Sequence, residues 1–247
     1  YRNSLAASTV LATMLSVHRV LPTWDKVDVF ITLSKFAQNK FIEYGLPAHK
    51  LRLKHNFVHP APPLGDGKDN SVLYVGRLSP EKGIDILLSA WSQLGDRITL
   101  KIAGSGPLQK EVEAVVSQNS GVQFLGQQPS EEIYRLLGQS KALIFPSLWY
   151  EGMPRTIIEA FATGAPVIAS NLGAMATMIE PGRTGLHFEP GNVADLVQQV
   201  LWMLEHPSEW QVMRRQARQE FEDKYTAEQN YALLMDIYQQ ALSSKSN

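Results

Sequence analysis

From Val27 onward two kinds of segment alternate. Short runs of β-branched and apolar residues read as strands, at 27–33, 51–54, 72–75, 98–102, 122–125, 142–145, 166–169 and 185–188. Between them, apolar positions recur at spacings of three and four, which predicts helices over 35–44, 84–94, 108–118, 130–138, 156–163, 174–180 and 193–205. Most strand runs are short, largely apolar and followed closely by Gly, Pro or Ser. Strands of that kind lie in a parallel sheet with helices on both faces, so the pattern predicts an α/β fold.

The two ends read differently. Residues 4–17 carry no charge, yet they are too few for the ~20 apolar residues of a membrane span. Leu5, Val10, Leu11, Met14, Leu15 and Val17 predict a core helix with one buried stripe. A last helix is expected over 226–242, with Tyr231, Leu234, Met235, Ile237, Tyr238, Ala241 and Leu242 on its apolar side. Lys224-Tyr225 marks a break before it. The stretch 60–70, PAPPLGDGKDN, is rich in Pro, Gly and Asp and predicts a linker or domain junction. Three segments result: 1–60, a helix–strand–helix–strand that resembles the tail of another α/β domain; 61–225, a nearly complete α/β unit; and 226–247.

Composition removes several classes of function. At 44% hydrophobic and 19% charged, the 247 residues are neither disordered nor fibrous. A net charge of -1 argues against a nucleic-acid partner. The chain has no cysteine, which excludes disulfides, zinc thiolates and cysteine nucleophiles and fits a reducing compartment such as the cytoplasm. No HExxH, Asp-x-Asp or nucleophile elbow occurs, so no metal site is expected. His55 and His59 are four apart, but Pro60 and the loop around them argue against a ligand-bearing helix.

Three strand-to-helix turns carry candidate chemistry. In VGRLSPEKG, Arg77 and Lys82 bracket the turn after Gly76, with Pro80 at the expected helix start. Beyond the carboxyl end of a strand, both cations can face an anionic ligand; the plainer reading is two solvated surface cations. In IAGSGP, Gly104 and Gly106 would let a ligand approach the backbone, although the spacing is not the dinucleotide fingerprint and the plainer reading is an ordinary tight turn. The third turn is EGMPRTIIE. Backbone N–H groups at Gly152, Met153 and Arg155 would point to an anion at the helix start, where Pro154 has no donor. Glu151 and Glu159 are eight positions apart and suit hydroxyl groups of a ribose or sugar, as acceptors. Arg155 in the first turn opposes the helix dipole, a cost that a nearby phosphate or carboxylate would offset.

With these motifs in order, VGRLSPEKG, IAGSGP, FLGQ and EGMPRTIIEAFATGAPVIAS, the chain resembles the family 4 glycosyltransferases, retaining enzymes of the GT-B fold. The resemblance spans most of the chain and is weak over 1–60. It implies two Rossmann-like domains facing a cleft. Residues 61–225 would form the donor domain, 1–60 the end of the N-terminal acceptor-side domain, and 226–247 a helix returning to the latter. It also implies a function: moving a sugar from a UDP- or GDP-sugar to a saccharide or lipid-linked acceptor, with no metal or cofactor. Arg77 and Lys82 would bind the diphosphate and act with Glu151 as the catalytic residues. Glu159 would hold the ribose. Glu151 would hold the sugar, helped by the amides of Gly152 and Met153. Gly104, Ser105, Gln127 and Gln128 would border the base.

Two positions depart from the family pattern: Pro154 stands where glycine is frequent, and Arg155 where an apolar residue is frequent. The chain opens on Tyr1, and the resemblance implies a fragment lacking the front of the N-terminal domain and poorly active alone. A cytoplasmic location is implied, with peripheral membrane contact where the acceptor is lipid-linked. A sugar-nucleotide epimerase and a non-catalytic nucleotide-sugar binding module are the competing readings.

Overall fold

The computed structural model describes residues 4–21 and 23–243. Residues 244–247, the end of the 226–247 segment, lie outside the described residues, as do residues 1–3 and residue 22. The chain opens with helix α1 (Leu5–Val20), followed by β1 (Phe30–Thr32), α2 (Lys35–Glu43) and β2 (Leu51–Leu53). β1 and β2 pair in parallel as a small sheet of their own.

The larger unit runs β3 (Ser71–Val75), α3 (Ile84–Leu94), β4 (Thr99–Ala103), α4 (Gln109–Val116), β5 (Val122–Gly126) and α5 (Ser130–Gln139). It continues with β6 (Ala142–Phe145), α6 (Arg155–Ala162), β7 (Val167–Ser170), α7 (Gly173–Met178), β8 (Gly185–Phe188) and α8 (Val193–Glu205). Two helices close the chain, α9 (Pro207–Lys224) and α10 (Ala227–Ser243). The six strands are all parallel, in the order β5-β4-β3-β6-β7-β8. The chain thus steps outward from β3 to β5, crosses back, and steps outward again from β6. Between β3 and β6 the connections leave in opposite directions and a crevice opens at the strands' carboxyl ends.

Burial on both sheet faces explains the apolar runs. Leu73, Leu143 and Val167 enter a core with α5, α6, α7 and α9. Their neighbours Val72, Ala142, Ile144 and Ile168 enter the opposite core with α3, α4 and α8. Strands covered on both faces lose the polar half of the alternation.

The eight expected strands are all present among the described residues, with shifts of a few residues at their ends. Three expectations need correction. α1 is a helix, capped by Ser4, whose Oγ accepts from the Ala7 N–H at 3.2 Å, but it has no buried stripe. Leu5 is 88% exposed and Val10 70%. Periodicity establishes an apolar face; it does not supply the partner that covers it. Pro80 does not open the helix either. It starts a single 3-10 turn, Pro80–Lys82, after which Gly83 turns the chain into α3. Third, α9 was not anticipated, although Trp210, Met213, Ala217 and Phe221 recur at three and four and are buried. Its many Arg, Gln and Glu positions obscure that spacing.

The 60–70 stretch is pinned along α5 and α6 rather than free. Gly65 N–H donates to Thr163 O, Gly67 N–H to Gly138 O and Asp69 N–H to Gln139 O, each at 3.0 Å. Arg214 of α9 completes this seam. It is 4% exposed, and its guanidinium donates to Ser140 O (3.0 Å), Gly65 O (3.2 Å) and Gly138 O (3.3 Å). α10 meets the first segment through Asn230, which takes a hydrogen bond from Lys54 Nζ at 3.0 Å and donates to His55 O at 2.5 Å. No helix among the described residues is long and apolar enough to cross a membrane. Arg214→Ala removes three carbonyl partners at once and should lower the unfolding free energy by about 3 kcal/mol, measured by urea denaturation.

Candidate active site

The crevice at the carboxyl ends of β3 and β6 holds a cleft of about 330 Å³. The turn after β3 contributes Gly76, Arg77 and Lys82; the loop after β6 and the start of α6 contribute Ser147, Glu151, Pro154 and Arg155. A second hollow of about 430 Å³ shares Gly76 and Arg77 and extends across β4 and β5 to Gly104, Ser105, Gln127 and Gln128. Most of the residues singled out in the sequence therefore line these two adjoining hollows. Three do not. Gly152 is exposed on the loop, Met153 is buried beneath it, and Glu159 stands one turn along α6.

Local chemistry orients each group. Tyr74, at the end of β3, donates its hydroxyl to Arg77 O at 2.8 Å and so ties down the turn. Burial pushes this phenol's pKa well above its ordinary value, with the negative charges of Glu151 and Glu81 adding to the effect. Arg77 itself is exposed and makes no ion pair among the described residues. Lys82 reaches across the crevice to Glu151 Oε1 at 2.6 Å. The buried Ser147 hydroxyl donates to that same oxygen at 2.8 Å. No side chain caps α6, and its first residues, Pro154, Arg155 and Thr156, line the cleft, a favourable setting for an anion.

Arg155 has the nearby carboxylate anticipated for it: its side chain is 59% exposed, borders the cleft and pairs with Glu159 at 3.2 Å. Glu159 is only 14% exposed, and its helix neighbours Ile157, Ile158, Ala160 and Phe161 are fully buried. Desolvation raises its pKa, and the Arg155 charge partly opposes the rise.

The glycines of IAGSGP form the tight turn that is the plainer reading of that motif. A Cβ on Gly104 would lie 1.9 Å from Gly76 O, and one on Gly106 would lie 2.4 Å from Leu78 O. They let the turn after β4 pack backbone to backbone on the turn after β3, and they border the second hollow on their other side. Gln128 folds back, its amide donating to Leu125 O.

Sequence reasoning missed Tyr74, Ser147 and Asn56. Asn56 belongs to the first segment but holds the Met153 stretch, donating Nδ2 to Met153 O at 3.3 Å. A serine or tyrosine next to a motif carries no periodic signal. The proximity of Ser147 to Glu151, four residues on, was the one available hint. Among the described residues, no group of three or more His, Cys, Asp or Glu is placed to hold a metal ion.

Comparison with known proteins extends the geometry. The family model for glycosyl transferases group 1 matches residues 59–220. The D-rhamnosyltransferase WbpZ of Pseudomonas aeruginosa is 35% identical over 159 residues, covering 63% of this chain and 41% of its own. The O-antigen chain mannosyltransferase C of Escherichia coli is 30% identical over 223 residues, 87% of this chain and 58% of its own. The chain thus spans about half the length of these curated relatives. Among solved structures, Anabaena HepE in complex with UDP superposes with a TM-score of 0.77 at 22% identity, covering 88% of this chain and 64% of that one.

Because Glu159 is protonated more readily in the folded chain than in the unfolded one, its contribution to stability is present below the ordinary glutamate pKa. It is lost as pH rises through the elevated folded value. Glu159→Gln should therefore flatten the pH dependence of unfolding on the alkaline side of pH 4.5. Arg155→Ala should move the Glu159 titration to still higher pH, as read by carboxyl NMR; an unmoved titration would contradict the pairing.

Proposed function

The chain belongs to the glycosyl transferases group 1 family, and on that premise we propose that it binds a nucleoside diphosphate sugar and transfers the sugar to a hydroxyl of a saccharide or glycolipid. The observation that carries this reading is the crevice between β3 and β6, where the unpaired Arg77 and the uncapped start of α6 border one cleft with Lys82. The UDP bound to the structurally similar Anabaena protein supports the same class of ligand.

In this reading the diphosphate lies between Arg77, Lys82 and the α6 start. Arg77 supplies a planar fork and Lys82 a point charge. As the bond from the sugar anomeric carbon to the phosphate oxygen breaks, negative charge grows on the leaving diphosphate. These groups stabilise that charge without a metal ion, as preorganised donors aimed at the developing anion. The enzyme is a retaining one of family 4 type: the acceptor hydroxyl attacks from the leaving group's own face, and its proton passes to the departing phosphate oxygen.

Glu159 takes the ribose hydroxyls. Its raised pKa reflects a carboxylate short of hydration, which the two hydroxyls of a ribose would supply. The base lies over Gly104 and Ser105 toward Gln127 and Gln128, in the hollow that shares Gly76 and Arg77 with the cleft. Glu151 faces the sugar. Residues 61–225 form the donor domain in this arrangement, while 1–60 and the helix beginning at 226 belong to the acceptor side. The α10 contacts with Lys54 and His55 support that grouping.

Calorimetric titration with UDP, GDP, ADP and CMP, with no metal added, tests the reading. One diphosphate should bind saturably, and Arg77→Ala should weaken it roughly tenfold to a hundredfold, the loss of a charge-assisted contact. Binding that is indifferent to both Arg77→Ala and Glu159→Ala would overturn the assignment.

A further inference from the structure

We propose that Ser147 is a positioning residue that, together with Lys82, clamps one oxygen of Glu151 and leaves the other free to select the donor sugar. The inference rests on the nucleotide-sugar reading above and deepens it at a single carboxylate.

Glu151 receives two hydrogen bonds, and both fall on Oε1: from Lys82 Nζ at 2.6 Å and from Ser147 Oγ at 2.8 Å. Oε2 has no partner among the described residues, and Glu151 lines the cleft. A carboxylate held twice at one oxygen cannot turn that oxygen outward without breaking charge-assisted bonds. It therefore presents one defined acceptor to a sugar hydroxyl.

The serine is held firmly enough to do this. It is 1% exposed, and its Oγ accepts the Trp149 N–H at 3.3 Å. Its proton has other nearby acceptors, Glu81 O at 3.4 Å and Trp149 O at 3.5 Å, but both are at the limit of a hydrogen bond. The 2.8 Å contact to Glu151 takes the proton. The loop on the far side is tied by the Leu148 N–H, which donates to Glu81 O at 2.9 Å. The hydroxyl thus spends its one proton on Glu151 and one of its two acceptor sites on the Trp149 N–H.

The two clamps behave differently when ligand arrives. Lys82 borders the phosphate region and divides its three donors between Glu151 and a diphosphate. Ser147 is enclosed and remains on Glu151. Its importance should therefore show in the bound state, and only where a sugar is attached.

The test compares UDP with UDP-glucose, and GDP with GDP-mannose, by calorimetry on the full-length protein. The quantity read is the ratio of the two affinities within each pair. Ser147→Ala should leave the diphosphate within about twofold and weaken the sugar nucleotide about tenfold relative to it. Thermal melts establish that the variant is folded. Because Ser147 acts through Glu151, Ser147→Ala placed on Glu151→Gln should shift the ratio by less than about twofold more.

Equal weakening of both ligands, or additive effects in the double variant, would reduce Ser147 to a structural role and overturn the proposal. A ratio unmoved by Glu151→Gln would remove the sugar contact and the proposal with it, while the nucleotide reading stands. Wild-type protein that binds neither member of either pair would overturn the nucleotide reading itself.

Discussion

The site depends on one backbone contact across the switch in strand order. Gly83 sits at φ 71° directly over the end of β6, where a Cβ would lie 2.0 Å from Pro146 O. No other residue fits at that distance in that conformation. The contact presses the turn after β3 against the loop after β6, two segments more than sixty residues apart in the chain. From it follow the Leu148 N–H bond to Glu81 O and the reach of Lys82 to Glu151. The groups proposed to act on the donor are thus brought together before any ligand arrives, so binding has less side-chain entropy to offset.

Charge is arranged with similar restraint. Lys82 is paired with Glu151 and Arg155 with Glu159, so two acids and two bases nearly cancel at the cleft and along the first turn of α6. Of the three cations that line the cleft, Arg77 alone makes no ion pair among the described residues. A dianionic ligand would meet that cation and the α6 N-terminus first, then draw on Lys82. Partial burial of the two carboxylates is tolerated because each has a cation beside it. The same pairing accounts for the Arg155 that looked misplaced at a helix start: its counter-charge is Glu159, one turn along, rather than the helix dipole.

Much of this was legible in the residues. Strands buried on both faces have a compact apolar signature, and the turns that carry chemistry stand out as glycine beside charge. Glu151, Glu159, Arg77 and Lys82 were identified on those grounds. Other features were hidden for definite reasons. The IAGSGP glycines serve contact between two turns, and a sequence does not say whether a glycine makes room for a ligand or for backbone. Ser147 and Tyr74 act through single hydrogen bonds, which have no period. α9 was masked by the polar residues on its outer face, and the apolar face of α1 carried no mark of whether anything covers it.

By itself, then, the sequence determined the parallel α/β unit, the family it resembles and the identity of the charged groups, because these follow from local periodicity and from residue chemistry. Only the tertiary structure decided which groups face one another: Lys82 and Ser147 on the same oxygen of Glu151, Arg155 on Glu159, Asn56 on Met153, and Arg214 beneath the 60–70 stretch. Such pairings depend on strand order and on backbone approach at glycines. These are set by how the whole sheet closes, and no window of neighbouring residues contains them.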